Sequence, residues 1–155
     1  MDLNKIYSSF NCLSIIILFT TMSCASQPPT SIGLQDGKLR RCPKKPNCVS
    51  SEHKSKTSWV EPLAFKGEPK AAWKKIKIAV THIGGNIEKD DHPYLWATFR
   101  TKIFRFVDDM EFRMDAKNKV IHIRSASRVG YSDMGVNRKR VKKLRTEFYH
   151  KKEKG

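Results

Sequence analysis

Residues 124–140 concentrate side chains that can hold an anion or hold one another. The segment offers guanidinium groups, hydroxyls, a carboxylate and an amide around two glycines. Guanidinium groups bind phosphate or carboxylate through two parallel hydrogen bonds, and a helix N-terminus adds N–H groups and a positive dipole end. We therefore predict an anion-binding site formed by Arg124, Ser125, Ser127, Arg128, Asp133, Asn137, Arg138 and Arg140.

A hydrolase is a less favoured hypothesis for the same region, with Asp108 and Ser125 as its reacting groups. Strand alternation puts His122 on the face opposite Ser125, and it puts the neighbouring Asp108 and Asp109 on opposite faces. Neither Ser125 nor Ser127 lies in a nucleophile-elbow motif, and the five histidines show no metal-ligand spacing. The sequence thus favours a binding module over an enzyme, with no catalytic residue, no metal and no cofactor.

Hydrophobic periodicity predicts the elements that position this segment. A stripe from Ala72 to Ile83 predicts a helix that begins at Pro69 and ends at Gly84. The period then changes to two, which predicts strands, and Asn137 is a suitable N-cap for a last helix. We expect an α+β fold: an antiparallel sheet of about four to five strands, with one helix before it and one C-terminal helix, both packed on one face.

A polar turn, Asp115–Asn118, joins two of these strands and allows their register to be predicted. If Met114 faces Lys119, apolar side chains meet apolar ones and acids meet bases, as cross-strand pairing favours. The other pairs are then Phe112–Ile121, Met110–Ile123, Asp108–Ser125, Glu111–His122 and Asp109–Arg124. Asp108 points inward in this register, where a charge requires partners. We interpret Asp108 and Asp109 as structural acids and leave open a role for Asp108 in a site.

Residues 1–23 are typical of an export signal. The apolar run Phe10–Met22 is shorter than the about 20 residues that span a bilayer. Thr21-Met22-Ser23-Cys24 resembles a bacterial lipoprotein processing site, although Leu is more usual where Thr21 stands. We expect Cys24 to carry several acyl chains, palmitate among them, which hold a chain stably on a membrane. Ala25 favours the outer membrane over the inner one, and an ordinary signal peptide is the alternative reading.

The remainder divides into a tether and one domain. Residues 24–40 are polar and rich in Pro, Ser and Thr, so we expect a flexible tether there. Residues 41–152 are long enough for a single domain with its own core. Cys42 and Cys48 have a spacing unlike that of zinc or redox motifs. We expect them to form a disulfide in an oxidising envelope, with free cysteines as the alternative.

The formal net charge of the chain is +16. So large a basic excess attracts polyanions. For an exported, lipid-anchored chain we expect the partner to be an anionic lipid, an envelope polymer or glycan, or a protein, and nucleic acid is less favoured. A scaffold domain without a ligand is the main alternative, since the polar residues of the segment can satisfy one another.

Two motifs resemble those of a known family. The first is Cys42-Pro43 followed by Pro46-Asn47-Cys48-Val49-Ser50-Ser51, and the second joins Asp108-Asp109 and Glu111-Phe112 to the polar positions of residues 124–140. On these motifs the chain resembles the domain of unknown function 1499 family, which occurs in bacterial lipoproteins, in membrane proteins and in some plastid proteins. Met134 stands where the family more often has Leu. The resemblance extends over nearly the whole domain and implies no particular activity.

Overall fold

The computed structural model describes residues 29–101 and 106–150. The expected export signal, the lipidation of Cys24 and the last two residues of the expected domain lie outside the described residues. Within them, the strands are β1 (Leu34–Gln35), β2 (Lys38–Leu39), β3 (Cys48–Ser50), β4 (Leu63–Ala64), β5 (Asn86–Asp91), β6 (Tyr94–Arg100), β7 (Val107–Asp115) and β8 (Val120–Ser127). The helices are α1 (Pro69–His82) and α2 (Val136–Tyr149), and neither is long and apolar enough to cross a bilayer.

Six strands form one antiparallel sheet, in the order β3-β8-β7-β6-β5, with β4 also paired to β8. Both helices pack on the face that carries Met110, Phe112 and Met114, because these residues share one core with the apolar stripes of α1 and α2. We name this the helix face and the opposite side the open face. The α+β class is therefore confirmed. The sheet has six strands rather than about four to five because the short β3 and β4 both use β8 as their partner.

Helix α1 follows its sequence signals. Pro69 occupies the first helical turn, where the missing N–H of proline costs nothing. Gly84 adopts a φ of 92° just after the helix, a conformation that favours glycine. A Cβ atom on Gly85 would lie 2.6 Å from the ring of Phe99, so only glycine lets the chain pass this close to β6 on its way into β5.

The β7–β8 hairpin is present, but the predicted register is wrong by two positions. Met114 pairs with Ile121 rather than with Lys119, and Asp108 pairs with Ser127 rather than with Ser125. The turn comprises residues 116–119, because Lys119 adopts a left-handed φ of 53° and the Asp115 carboxylate accepts the Asn118 N–H at 3.0 Å. A shift of two leaves every side chain on its predicted face, so Asp108 does point toward the helices.

β1 and β2 form a small hairpin over the open face, where the composition predicts a tether. Leu39 is 1% exposed, and its N–H donates to Glu52 Oε2 at 2.7 Å. The Gly33 N–H donates to Glu111 Oε1, also at 2.7 Å. The packed part of the chain therefore begins near residue 32 rather than at residue 41, because one buried leucine and these backbone hydrogen bonds outweigh the polar composition.

The expected disulfide joins Cys42 and Cys48, whose Cα atoms lie 5.6 Å apart. Cys48 opens β3, and the backbone carbonyl of the preceding Asn47 accepts the Ser127 N–H at 3.0 Å. The disulfide loop is thereby fixed beside the end of β8, next to the candidate site residues.

Leu39→Ala should lower the free energy of unfolding by about 2–4 kcal/mol, because it leaves a cavity between the hairpin and the sheet. Ile78→Ala is the control, since Ile78 is 47% exposed on α1 and should change stability by less than about 0.5 kcal/mol. Urea unfolding measures both. Equally small effects would mean that residues 33–40 contribute no packing.

Candidate functional site

The structure divides the predicted site residues between the two faces of the sheet. Alternation along β8 turns Ser125 and Ser127 toward the helix face and turns Arg124 toward the open face. Asp133, Asn137 and Arg140 join the two serines, while Arg128 joins Arg124. Arg138 belongs to neither group, since its guanidinium donates to the backbone carbonyls of Thr57 and Trp59 at 2.7 and 3.0 Å. The eight residues therefore do not form one site.

On the helix face, the buried amide of Asn137 is the centre of a hydrogen-bond network. Its Oδ1 accepts the Ser125 hydroxyl at 2.6 Å and the Arg140 guanidinium at 2.8 Å. Its Nδ2 donates to Ser127 Oγ at 2.9 Å and to the Asn47 carbonyl at 3.1 Å. Every functional atom of the amide thus has a partner, so this network stabilises the fold as a buried polar cluster must.

Asp108 completes this network from β7. It is 3% exposed, and its Oδ2 accepts the Arg140 guanidinium at 2.6 Å. The side chain points inward as expected, and Arg140 of α2, rather than the predicted neighbour Ser125, binds the carboxylate and neutralises its charge. Because Ser125 donates to Asn137 and the Asp108 carboxylate is held by Arg140, the pair does not have the nucleophile-and-base arrangement that a hydrolase uses.

The side chain of Asp133, rather than that of the predicted N-cap Asn137, accepts the free N–H groups at the start of α2. Gly135 is the N-cap, with a φ of 78°, and Asn137 lies inside the first turn. The Asp133 carboxylate accepts the N–H groups of Gly135 and Asn137, both at 2.9 Å. A carboxylate at this end satisfies N–H groups that the helix leaves unpaired and opposes the positive end of its dipole. The helix start is therefore already occupied by a side chain of the protein.

On the open face, Glu111 and Arg124 form a buried ion pair. Their side chains are 0% and 3% exposed, with Arg124 Nη1 2.5 Å from Glu111 Oε2. Oε1 of the same carboxylate accepts the Tyr94 hydroxyl at 2.9 Å and the Gly33 N–H at 2.7 Å. Burial, followed by the nearby Glu111 charge, raises the pKa of Tyr94 far above its ordinary value, so Tyr94 stays a hydrogen-bond donor.

Asp109 and Arg128 form a second open-face pair. The Arg128 guanidinium donates to both carboxylate oxygens, at 2.8 and 2.9 Å, and Trp96 Nε1 donates to Oδ1 at 2.8 Å. The hydrogen bonds to Asp109 raise the pKa of Arg128. Asp109 pairs across the sheet with Ala126 rather than with Arg124, and its charge is neutralised by Arg128 instead.

A cleft of about 810 Å³ lies between these pairs, the β1–β2 hairpin and the disulfide loop. Six basic residues and two acidic ones line it: Lys38, Arg40, Arg41, Lys45, Arg124, Arg128, Asp36 and Asp109. Two buried side-chain atoms in residues 29–101 and 106–150 have no hydrogen-bond partner, Asn47 Oδ1 and Arg124 Nε. Both residues line this cleft. Since a buried polar group without a partner costs about 1–3 kcal/mol, these two residues make the cleft the candidate ligand site.

Sequence reasoning missed Asn47 and four cations, Lys38, Arg40, Arg41 and Lys45, as site residues. The motif around Cys42 and Cys48 contains Asn47, and that was the available signal. The four cations could not be assigned, because Lys38 and Arg40 were expected in a tether and nothing local shows that residues 38–45 fold over β7 and β8. Among the described residues, no three or more His, Cys, Asp or Glu side chains form a group that could hold a metal ion.

His122 lies on the open face beside Ser51, with Nδ1 3.4 Å from Ser51 Oγ. Burial lowers its pKa below the ordinary 6.5, and Arg113 adds to this, although Glu52 and Asp115 oppose it. The His122 ring is therefore protonated at a higher pH in the unfolded chain than in the folded protein. Burial of the neutral ring consequently predicts that stability falls as the pH decreases below 6.5.

In the unmodified protein, the free energy of unfolding should fall as the pH decreases from 6.5 to the pKa of His122 in the folded state. His122→Gln should make this fall smaller, by at most about 1.4 kcal/mol per pH unit for one proton. Urea unfolding across this range, together with NMR titration of the His122 ring in the folded protein, measures the effect. A ring that titrates above its ordinary pKa would contradict the assigned cause.

Asn137→Ala should lower the free energy of unfolding by at least about 2 kcal/mol, because it leaves the buried Ser125 hydroxyl and the Arg140 guanidinium short of a partner. Asn86→Ala is the control, since Asn86 is exposed and donates only to Glu88 on the surface. Urea unfolding compares them. An equal decrease in the free energy of unfolding for the two variants would show that the helix-face network does not stabilise the fold.

Comparison with known proteins identifies the family but no activity. Searches of the curated proteins and of the solved structures give no significant match. The family model described as protein of unknown function (DUF1499) matches residues 38–148. The match begins at β2, includes the disulfide loop and both polar networks, and ends in α2. The chain therefore belongs to the DUF1499 family.

Proposed function

We propose that the protein is a non-enzymatic binding module of the bacterial envelope, which holds a phosphate or carboxylate group in the open-face cleft. One observation carries this proposal. The two buried side-chain atoms without partners in the described chain, Arg124 Nε and Asn47 Oδ1, belong to residues that both line the same basic cleft. An anionic oxygen is the natural partner of the guanidinium N–H, and a hydroxyl is a natural partner of the amide oxygen.

Charge supports an anionic ligand. Glu111 neutralises Arg124, and Asp109 neutralises Arg128, so the excess positive charge of the cleft comes from its rim. The rim carries Lys38, Arg40, Arg41 and Lys45 against one acid, Asp36. A concave surface lined by one sign of charge concentrates ligands of the other sign. Arg124 and Arg128, which their acidic partners hold in place, would orient the anion, and the rim cations would attract it.

The envelope location rests on the N-terminal residues. The signal-like segment and Cys24 favour a lipoprotein whose acyl chains anchor it to a membrane, and Ala25 favours the outer one. The disulfide between Cys42 and Cys48 agrees with an oxidising compartment. Anionic lipids, phosphorylated glycans and acidic protein segments are the ligand classes available there.

A scaffold role is the second candidate, and the helix face favours it. Asp108, Arg140, Asn137, Ser125 and Asp133 satisfy one another with little left for a ligand. This network holds the loop of residues 129–135 and α2 against the sheet. It explains the helix-face residues without a ligand, whereas it leaves the unpartnered atoms of the open face unexplained.

Titration with inorganic phosphate tests the proposal directly. We expect the Nε–H resonance of Arg124 in the lipidated full chain, held in neutral detergent micelles, to move saturably in ¹H–¹⁵N NMR spectra. Sodium chloride at equal ionic strength should not move it, and Arg145 on α2 serves as an internal reference. An Arg124 resonance that responds to phosphate no more than Arg145 does would count against the cleft.

Charge reversal on the rim separates site binding from general attraction. The double change Arg41→Glu and Lys45→Glu should weaken phosphate binding at least about tenfold, which corresponds to about 1.4 kcal/mol. Lys74→Glu with Lys143→Glu alters the net charge equally, at exposed positions of the two helices, and should leave the affinity nearly unchanged. Equal weakening by both pairs would show that only the overall charge matters.

A further inference from the structure

We propose that the open face docks onto the anionic head groups of the membrane that carries the lipid anchor, so that a lipid phosphate is the group held in the cleft. This inference rests on the proposed anchoring and the proposed cleft, and it adds the source of the ligand and the orientation of the domain. Three independent features of the open face support it.

The first feature is the short distance along the chain from the anchor to the sheet. Gly33 is fixed to the buried carboxylate of Glu111, in the middle of the open face. Only nine peptide units separate Cys24 from Gly33, which span at most about 30 Å even when fully extended. A lipidated Cys24 would therefore keep the open face within about one domain diameter of the bilayer surface. The folded hairpin, in place of a long tether, produces this restriction.

The second feature is the charge of the open face close to that surface. The rim cations Lys38, Arg41 and Lys45 are exposed, and they lie around the point where the N-terminal segment joins the sheet. Electrostatic attraction to anionic lipids acts within about one Debye length, roughly 8 Å at physiological ionic strength. Because the anchor confines these cations to within about 30 Å of the bilayer, they can reach that range without being recruited from free solution.

The third feature is an exposed apolar loop beside the cleft. Val129, Tyr131 and Met134 are 54%, 70% and 89% exposed, although they lie within six residues of one another. The loop follows Arg128, and Gly130 of the same loop also lines the cleft. Tyrosine and aliphatic side chains next to cations are suited to the head-group region of a bilayer. The loop and the rim therefore form one surface with the chemistry of a peripheral membrane contact.

The helices offer a competing basic surface. Lys70, Lys74 and Lys77 of α1 and Lys142 and Lys143 of α2 lie on the other side of the sheet. To rest on these helices, the domain would have to turn over, and the tether would have to pass the sheet edge and a helix layer about 10 Å thick. The position of Gly33 favours the open face, and the two orientations predict opposite results for a surface probe.

Site-specific fluorescence in vesicles tests the orientation. The lipidated full chain carrying Met134→Cys, labelled with an environment-sensitive dye, is reconstituted in vesicles of equimolar phosphatidylglycerol and phosphatidylcholine. Ile78→Cys, at a 47% exposed position of α1, carries the same dye as the matched control. Both positions are exposed, so neither label disturbs the core, and Cys42 and Cys48 are protected by their disulfide.

We expect the emission of the Met134→Cys probe to shift to shorter wavelength in these vesicles and that of the Ile78→Cys probe to stay unchanged. The shift should be absent in pure phosphatidylcholine, and salt at about 1 M, where the Debye length is about 3 Å, should abolish it. Arg41→Glu with Lys45→Glu should also abolish it, whereas Lys74→Glu with Lys143→Glu should not. A shift confined to the Ile78→Cys probe, or no shift at either position, would overturn the docking proposal.

The phosphate titration separates the two proposals. A response of Arg124 to inorganic phosphate, combined with a silent Met134→Cys probe, would leave the cleft as an anion site and refute membrane docking. A Met134→Cys shift without any response of Arg124 would support docking of the surface and refute a phosphate site in the cleft.

Discussion

The buried ion pair between Glu111 and Arg124 is the interaction on which the open face depends. Removing two such charges from water costs several kcal/mol for each, and their mutual attraction alone rarely compensates. The Tyr94 hydroxyl and the Gly33 N–H supply the remaining hydrogen bonds of the carboxylate. The Glu111 carboxylate thus has all these hydrogen bonds only when the N-terminal segment lies across the sheet. The hairpin, the central strands and the cleft therefore form a single unit.

The two faces of the β7–β8 hairpin use the same residue types for different purposes. On the helix face, the charge of Asp108 is cancelled by Arg140 of α2, and both functional atoms of the Asn137 amide have partners. On the open face, the charge of Arg124 is cancelled by Glu111, but its Nε has no partner, and the residue lines a basic cleft. A polar residue becomes a candidate for ligand binding through the donors that remain unused, not through its charge alone. This criterion separates the two networks, which lie back to back on one pair of strands.

Periodicity was sufficient to predict the longer elements and the faces of their residues, because side-chain alternation is a local property. It gave α1, the β7–β8 hairpin and the inward orientation of Asp108. It could not give the partners, since a turn that starts one residue later moves each cross-strand pair by two without changing any face. The β1–β2 hairpin escaped prediction for a related reason. Its stability comes from Leu39 and from hydrogen bonds to Glu52 and Glu111, which are distant in sequence.

The same distance explains why the sequence grouped eight candidate residues that the structure places in three separate environments. Residues 124–140 carry the arginines, yet Asp133 already caps α2 and Arg138 is bound to backbone carbonyls, so the helix N-terminus is not a free anion site. The concave surface requires two further parts, the disulfide loop with Asn47 and the hairpin with Lys38 and Arg40. Each part is short and polar, and each would be interpreted as a linker by itself. The cleft exists because the Cys42–Cys48 cross-link and the Gly33–Glu111 hydrogen bond fold both parts onto one side of the sheet.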